Sequence, residues 1–173
     1  MKKLLITSIL LLFITNVKAQ DKNYDEKVKT LDSTVETLYA VISGEKGEAR
    51  DWELFKFLFK PDAKLIPTDK NKEGIDGLTF MSPEDYIKTA GPWLLENGFF
   101  EKEIHRKIDT FGSMTQVFST YESYKSESDE KPFMRGINSI QLLNDGTRWW
   151  VVNIYWVQES EDNPIPLEYL PKQ

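Results

Sequence analysis

The chain has a single histidine and no cysteine, so few of its side chains can do chemistry near neutral pH. His105 is the one residue of the type that exchanges a proton there. If Gly112-Ser113 forms a two-residue turn between strands, Thr120 lies opposite His105 and Glu122 lies opposite Glu103. This pattern predicts a His105, Thr120 and Glu122 group as a candidate acid–base site. The alternative is an ordinary solvated strand face, on which polar residues alternate with apolar ones.

A second candidate lies in the hairpin predicted over residues 135–157, where runs of β-branched and aromatic residues flank Asp145-Gly146. A two-residue turn at this pair sets Asn138 opposite Asn153, with Tyr155 on the same face. That face is apolar with a few convergent polar groups, which is typical of ligand pockets.

A three-residue turn over residues 144–146 fits this hairpin as well. It shifts the register by one residue and places Asn138 with Trp150 and Trp156 instead. Under either register, the amides and the tyrosine also fit a purely structural role as hydrogen-bonding groups of a sheet.

Other kinds of site find little support. Without cysteine, a metal site would depend on one histidine and on carboxylates that are scattered along the chain, so we predict no metal and no cofactor. The sequence has neither a phosphate-cradling glycine loop nor a G-x-S-x-G elbow. Its net charge of −6 and its lack of a basic cluster argue against nucleic acid as a partner. Arg135 is expected to bind a carboxylate or to pair with Asp129 and Glu130.

The N-terminus has the pattern of a secretory signal peptide, with Lys2 and Lys3 before an apolar run and Val17-Lys18-Ala19 after it. We expect cleavage near Ala19 and export of the mature protein to the periplasm or the medium. The apolar run is shorter than the roughly 20 residues that span a bilayer, so no membrane association is expected after cleavage. Residues 20–29 are charged and predict a flexible leader.

The remaining pattern predicts one α+β domain over residues 30–159, with helices first and a sheet afterwards. The predicted helices run over residues 31–42, 50–59 and 83–97, the last with a break or kink near Gly91-Pro92. The predicted strands run over residues 63–67, 101–110, 115–125, 133–143 and 148–159, with an exposed loop over 68–77. The proline-containing tail, residues 160–173, is expected to pack on the surface of the domain.

This order of elements, the LFKPDAKLIP run of residues 58–67 and the NDGTRWW hairpin resemble the nuclear transport factor 2-like superfamily, which includes SnoaL-like proteins. The resemblance covers about residues 30–159. It implies a cone in which a curved antiparallel sheet wraps around the first helix and leaves a pocket at the open end. Members include ketosteroid isomerase, scytalone dehydratase and proteins that only bind partners, so this fold does not by itself define a function.

The resemblance to the isomerase can be followed residue by residue. Tyr39 falls where the isomerase has the tyrosine that donates to the developing oxyanion, and Asn138 falls at or near its second donor. The catalytic aspartate falls at Pro67, which cannot accept a proton. The resemblance therefore implies a pocket that keeps its donors and lacks the base for that isomerisation.

Our leading hypothesis is an exported protein that binds a small apolar or amphipathic molecule, oriented by Tyr39, Asn138, Asn153 and Tyr155. One alternative is a lyase- or hydrolase-type enzyme with His105 as its acid or base. The other is an interaction module that forms a homodimer through the outer face of the sheet.

Overall fold

The structure, a computed structural model, describes residues 23–172. The predicted signal peptide, residues 1–19, lies outside the described residues, and export stays a prediction. The described chain has the following elements: α1 Leu31–Ile42, α2 Trp52–Leu58, β1 Phe59–Lys70, β2 Asp76–Leu78, α3 Pro83–Asn97, β3 Phe100–Phe111, β4 Met114–Tyr124, β5 Met134–Asn144 and β6 Trp149–Gln158, with short 3₁₀ turns at Asp25–Val28 and Leu167–Tyr169.

Local capping explains why α1 has the predicted bounds. The Thr30 side chain accepts a hydrogen bond from the Ser33 N–H, and the Ser33 side chain bonds back to the Thr30 N–H. Two backbone donors that would otherwise lack partners at the helix start are thereby satisfied. At the other end, the Ser43 hydroxyl donates to the Tyr39 carbonyl at 2.7 Å.

Helix α3 begins as predicted, because Ser82 and Asp85 form a second capping box and Pro83 occupies the first turn. The predicted break at Gly91-Pro92 is wrong, since the helix continues to Asn97. Pro92 and Lys88 are both exposed, so water can bond the Lys88 carbonyl that proline leaves without a donor. Gly98 then ends the helix at a φ of 71°, where an added Cβ would lie 2.5 Å from the Lys125 carbonyl oxygen.

The predicted flexible leader needs correction over the part that the structure describes. Residues 25–28 form a 3₁₀ turn, and Val28 is only 1% exposed in the core. The Tyr24 hydroxyl donates to the Asp51 carboxylate at 3.0 Å, and Asp51 in turn caps α2 by accepting from the Leu54 N–H. Residues 24–28 therefore pack against the domain.

The segment between α2 and α3 contains more strand than predicted. β1 begins at Phe59 and runs through Pro61 to Lys70, and the predicted loop over residues 68–77 includes the antiparallel pairing of β1 with β2. The Asn71 side chain accepts the N–H groups of Glu73 and Ile75 and so stabilises the turn between these strands.

The sheet has six strands in the order β2-β1-β6-β5-β4-β3. The last four strands along the chain form antiparallel neighbours, with the two-residue turn at Gly112-Ser113 confirmed by the Phe111 and Met114 pair. The antiparallel prediction is wrong for one pair, because β1 runs parallel to β6. Turn signals in the sequence indicate only pairing between strands that follow one another along the chain, whereas this pair joins the first strand to the last.

The helices cover the inner face of the sheet, where the core includes Val35, Leu38, Val117, Ile140 and Val151. The C-terminal segment lies on the opposite, outer face. There the Thr120 hydroxyl donates to the Tyr169 carbonyl at 2.6 Å, and the rings of Phe118 and Tyr169 are 5.0 Å apart. The homodimer predicted for the outer face stays a prediction.

Arg50 connects the end of α1 to α3. Its guanidinium donates to the carbonyls of Ile42 at 2.9 Å, Gly44 at 2.7 Å and Leu94 at 3.4 Å, and also bonds the Glu48 carbonyl. Burial lowers the pKa of this guanidinium. One side chain thus satisfies the Ile42 carbonyl, which the end of α1 leaves without a helical donor, and adds bonds to carbonyls of the following loop and of α3.

Candidate functional site

A cavity of about 200 Å³ lies between α1, α3 and the inner face of the sheet. Most of the side chains around it are apolar or aromatic. They are Leu38, Tyr39, Ile42, Phe55, Leu65, Tyr86, Ala90, Trp93, Leu94, Phe99, Glu101, Tyr121, Met134, Asn138, Ile154 and Trp156. A concave and mostly apolar site with few polar groups is the usual form of a small-molecule pocket.

Glu101 contributes a carboxyl group to this apolar wall. It lies near the start of β3, where its N–H donates to the Ser43 hydroxyl at 3.0 Å. Its Oε1 accepts from Asn138 Nδ2 at 3.2 Å, and its Oε2 accepts from the Ser123 hydroxyl at 3.3 Å. Strands β4 and β5 therefore hold both oxygens in place.

Burial raises the pKa of Glu101 to about 7, although the hydrogen bonds from Asn138 and Ser123 act in the opposite direction. Burial also raises the pKa of Tyr39, Tyr86 and Tyr121, and the negative charge of Glu101 raises each of them further. The carboxyl consequently exchanges its proton near neutral pH while the three phenols keep theirs.

Glu103 lies two residues further along β3 and is ion-paired. Arg106 Nε donates to its Oε2 at 2.9 Å, and Arg106 also bonds Asp32 at 2.8 Å. A carboxylate that is paired with arginine acts as an acceptor. Accordingly, the Ser119 hydroxyl donates its proton to Glu103 Oε1 at 2.5 Å.

The direction of these bonds determines what Tyr39 can offer to a ligand. Ser119 has one hydroxyl proton and gives it to Glu103, so the 2.7 Å bond between Tyr39 and Ser119 must be donated by Tyr39. Tyr39 in turn accepts from Asn138 Nδ2 at 3.1 Å. In this arrangement the Tyr39 proton points to Ser119, so Tyr39 does not play the oxyanion-donor part that the resemblance implied.

The predicted group of His105, Thr120 and Glu122 does not form. His105 lies opposite Thr120 as predicted, but the register shifts between Glu103 and His105, so Glu122 lies opposite Lys102. Such a bulge reverses the faces of the residues beyond it. Thr120 bonds the C-terminal segment, so the pair lies on the outer face, and none of the three residues lines the cavity.

The hairpin of β5 and β6 follows neither predicted register in full. Asn138 pairs with Trp156, and both line the cavity. A register shift between Gln141 and Leu142 separates this region from the turn. Trp150 therefore does not share the face of Asn138 and Trp156, and it does not line the cavity.

Asn153 and Tyr155 lie away from the cavity, so their predicted grouping with Asn138 is wrong. Asn153 donates to Gln141 at 3.1 Å, and Tyr155 is 40% exposed. The turn itself has four residues between Asn144 and Trp149. The Asp145 side chain stabilises it by accepting from the Thr147 hydroxyl, the Trp150 indole and the N–H groups of Arg148 and Thr147, and these bonds lower the pKa of Asp145.

Arg135 binds Glu159 through two bonds of 2.7 and 3.0 Å rather than the predicted acidic loop. The Arg135 guanidinium thereby holds the pKa of Glu159 below its usual range.

Across residues 23–172, no three histidine or carboxylate groups come together in a way that could hold a metal ion. Within the same range, every helix is too short or too polar to span a membrane.

The sequence reasoning missed Glu101. An unbroken register from the Gly112-Ser113 turn puts Glu101, Glu103 and His105 on one face, and the bulge turns the two glutamates inward. Ser123, which lies opposite Glu101 and binds its carboxyl group, pairs with it only because of the bulge, so no signal in the sequence indicates this contact.

Comparison with known proteins supports the fold. No protein-family model matches this sequence, and neither does any curated protein. Similar solved structures include an NTF-2-like protein of unknown function from Silicibacter pomeroyi DSS-3, which is 16% identical with a TM-score of 0.52 over 80% of this chain and 100% of that one.

Two further similar structures come from Novosphingobium aromaticivorans DSM 12444. A proposed scytalone dehydratase is 13% identical, with a TM-score of 0.53 over 75% of this chain and 81% of that one. The β subunit of a proposed aromatic-ring-hydroxylating dioxygenase is 10% identical, with a TM-score of 0.54 over 78% and 94%. The chain therefore has the nuclear transport factor 2-like α+β cone fold, and at these identities the likeness concerns the fold alone.

The raised pKa of Glu101 predicts a pH dependence of stability. Between its ordinary pKa of 4.5 and the folded value of about 7, the folded state holds a proton that the unfolded state releases. The contribution of Glu101 to the free energy of unfolding should therefore fall by about 3 kcal/mol as the pH rises through this window. The measurement is urea unfolding of the wild type and Glu101→Gln from pH 4 to 8, taking the difference between the two curves.

The matched control is Glu96→Gln, which changes an exposed glutamate of α3 and should run parallel to the wild type. Parallel curves for the wild type and Glu101→Gln would show that the Glu101 carboxyl remains well solvated.

The bond directions also predict the effect of Tyr39→Phe. Removing the hydroxyl takes one buried hydrogen bond from Asn138, which keeps Glu101, and one from Ser119, which keeps Glu103. The free energy of unfolding should therefore fall by about 1 to 3 kcal/mol. Chemical denaturation measures this change. Tyr155→Phe, which alters a tyrosine on the outer face, should change stability by less than about 0.5 kcal/mol. Equal stabilities of the two variants would contradict the chain of bonds.

Proposed function

We propose that this protein binds a small, largely apolar molecule in the cavity between α1, α3 and the sheet, with Glu101 as its orienting polar contact. The observation that carries this proposal is one carboxyl group, held by Asn138 and Ser123, in the wall of an otherwise apolar and aromatic cavity. Burying a carboxyl group is unfavourable unless it has partners, so its position there favours a role in binding over one in packing.

The volume of the cavity limits the size of the ligand. A volume of about 200 Å³ corresponds to about seven water molecules at roughly 30 Å³ each. This suits a single ring with a short side chain. Atoms that face the cavity lack packing partners, and an apolar ligand would supply the missing dispersion contacts.

The similar structures are consistent with this proposal but do not specify it, because the same fold occurs in a proposed dehydratase and in a proposed dioxygenase subunit. Support for ligand binding therefore comes from the residues of the cavity.

The test uses 2-phenylethanol as a neutral probe and measures the thermal unfolding midpoint. At a probe concentration ten times the dissociation constant, binding stabilises the fold by about 1.4 kcal/mol. For a domain of this size the midpoint should rise by roughly 3 to 6 °C. Ala90→Phe fills the cavity from α3 without changing its polar groups and should remove the shift.

The matched control is Ala40→Phe, the same substitution at an exposed position of α1, which should keep the shift. Equal shifts in Ala90→Phe and the wild type would place the binding elsewhere and overturn the proposal.

A second candidate is an enzyme that transfers a proton within the cavity. The predicted lyase or hydrolase depended on His105, which lies on the outer face, but Glu101 provides another acid or base. Its pKa of about 7 suits general acid–base catalysis at neutral pH, and the phenols of Tyr86 and Tyr121 line the same cavity.

This candidate predicts exchange of α-hydrogens in an enolisable apolar ketone. The wild type in D₂O should incorporate deuterium into 2-indanone faster than buffer alone, with a rate that rises with pH through about 7 as Glu101 ionises. Glu101→Gln should slow the exchange by at least about 100-fold, and Glu96→Gln should not. Nuclear magnetic resonance measures the exchange, and a rate equal to that of buffer would exclude this role for the probe's class.

A further inference from the structure

The charges around the cavity are unbalanced. Among the described residues that line it, Glu101 carries a carboxyl group, and none is a lysine, arginine or histidine. The groups that hold Glu101, Asn138 and Ser123, are neutral donors. They orient the carboxylate but do not cancel its charge, and buried charges in proteins are normally paired.

We propose that the ligand is a small organic cation, a primary amine on an apolar body, and that Glu101 is its counter-ion. This proposal rests on the proposed function of the cavity as a binding site and specifies the chemical class of its ligand.

The geometry of the carboxyl group supports an ammonium partner. Asn138 Nδ2 has two hydrogens, and its contacts with Tyr39 and Glu101 use both. These two bonds hold the Asn138 amide in one orientation, and the amide in turn holds Oε1 of Glu101 in place. Each carboxylate oxygen accepts more than one hydrogen bond, so lone pairs remain for the three N–H donors of an ammonium group. Charge-assisted bonds of this kind are roughly twice as strong as neutral ones.

The rest of the cavity suits the same class of ligand. Aromatic rings make up seven of its sixteen lining side chains, including Tyr86, Trp93 and Tyr121. Aromatic rings attract cations electrostatically, and sites that recognise ammonium groups are often built from them. The net charge of −6 also favours the approach of cations over anions.

Other charged or titratable groups near Glu101 do not alter this balance. Those that face it from the neighbouring elements are Tyr39 of α1, Tyr86 of α3 and Tyr121 of β4, and their raised pKa values keep them neutral. The positive charge of Arg50 lowers the pKa of Tyr86. The negative charge of Glu103 raises the pKa of Tyr39, but Glu103 is already paired with Arg106. Between pH 5.5 and 8, Glu101 is thus the cavity group whose charge changes.

The pH dependence of the binding affinity distinguishes a cation from a neutral ligand, because the two affinities should change in opposite directions. A cation prefers the ionised carboxylate, so it should bind more tightly as the pH rises through the pKa of about 7. A neutral ligand that accepts a hydrogen bond from the protonated carboxyl should bind more weakly over the same range. The apparent affinity in each case scales with the fraction of protein in the competent protonation state.

The experiment compares 2-phenylethylamine with 2-phenylethanol, which have the same ring and chain, by calorimetric titration at pH 5.5 and 8. For the wild type we expect the amine to bind at least about tenfold more tightly at pH 8 than at pH 5.5, and at least about tenfold more tightly than the alcohol at pH 8. Glu101→Gln should remove both differences, because its side chain carries no charge at either pH.

A second measurement on the wild type does not depend on any variant. At pH 6 most Glu101 side chains are protonated, so binding of the amine should release close to one proton, and at pH 8 almost none. Titrations in two buffers with different ionisation enthalpies count these protons. Tight binding of the amine without proton release at pH 6 would overturn the assignment of Glu101 as counter-ion.

The outcomes distinguish this inference from the proposed function. If the alcohol binds as tightly as the amine at pH 8, and Ala90→Phe blocks both, then the cavity binds ligands and the proposed cation class is wrong. If neither compound binds the wild type, both proposals fail for ligands of this size.

Discussion

The β-bulge between Glu103 and His105 is the constraint on which the rest of the site depends. Without it, β3 would carry Glu101 and Glu103 on the same outer face as His105, away from the cavity. The extra residue directs the two glutamates to the inner face and leaves His105 beneath the C-terminal segment. The single carboxyl group in the cavity wall, its raised pKa and the bonds of Tyr39 all follow from this local change of register.

Each glutamate that the bulge turns inward has a different environment. Glu103 meets Arg106 and becomes the acceptor at the end of a chain of donors through Asn138, Tyr39 and Ser119. Glu101 meets neutral donors and apolar walls, so its charge is stabilised less well. Two like side chains, two residues apart on one strand, therefore divide into an arginine-paired acceptor and a carboxyl group with a raised pKa.

Helix bounds and turns, which local interactions determine, were predicted from local signals in the sequence. The predicted bounds of α1, the predicted start of α3 and the predicted turn at Gly112-Ser113 agree with the structure, where capping boxes at Thr30 and Ser82 begin the two helices. The resemblance supplied the cone. The bulge in β3, the shift near Gln141 and the parallel pairing of β1 with β6 depend on side chains that meet only after folding. Because a one-residue shift exchanges the faces of a strand, these details decided which polar residues reached the cavity.

Arg50 also bears on the width of the cavity. The guanidinium joins carbonyls at and just after the end of α1 to the Leu94 carbonyl of α3, so moving these helices apart would break its bond to Leu94. This bond opposes widening of the helical wall. The proposed ligand would therefore have to match the thickness of the space as well as the charge of Glu101, and broad or branched amines are expected to be excluded.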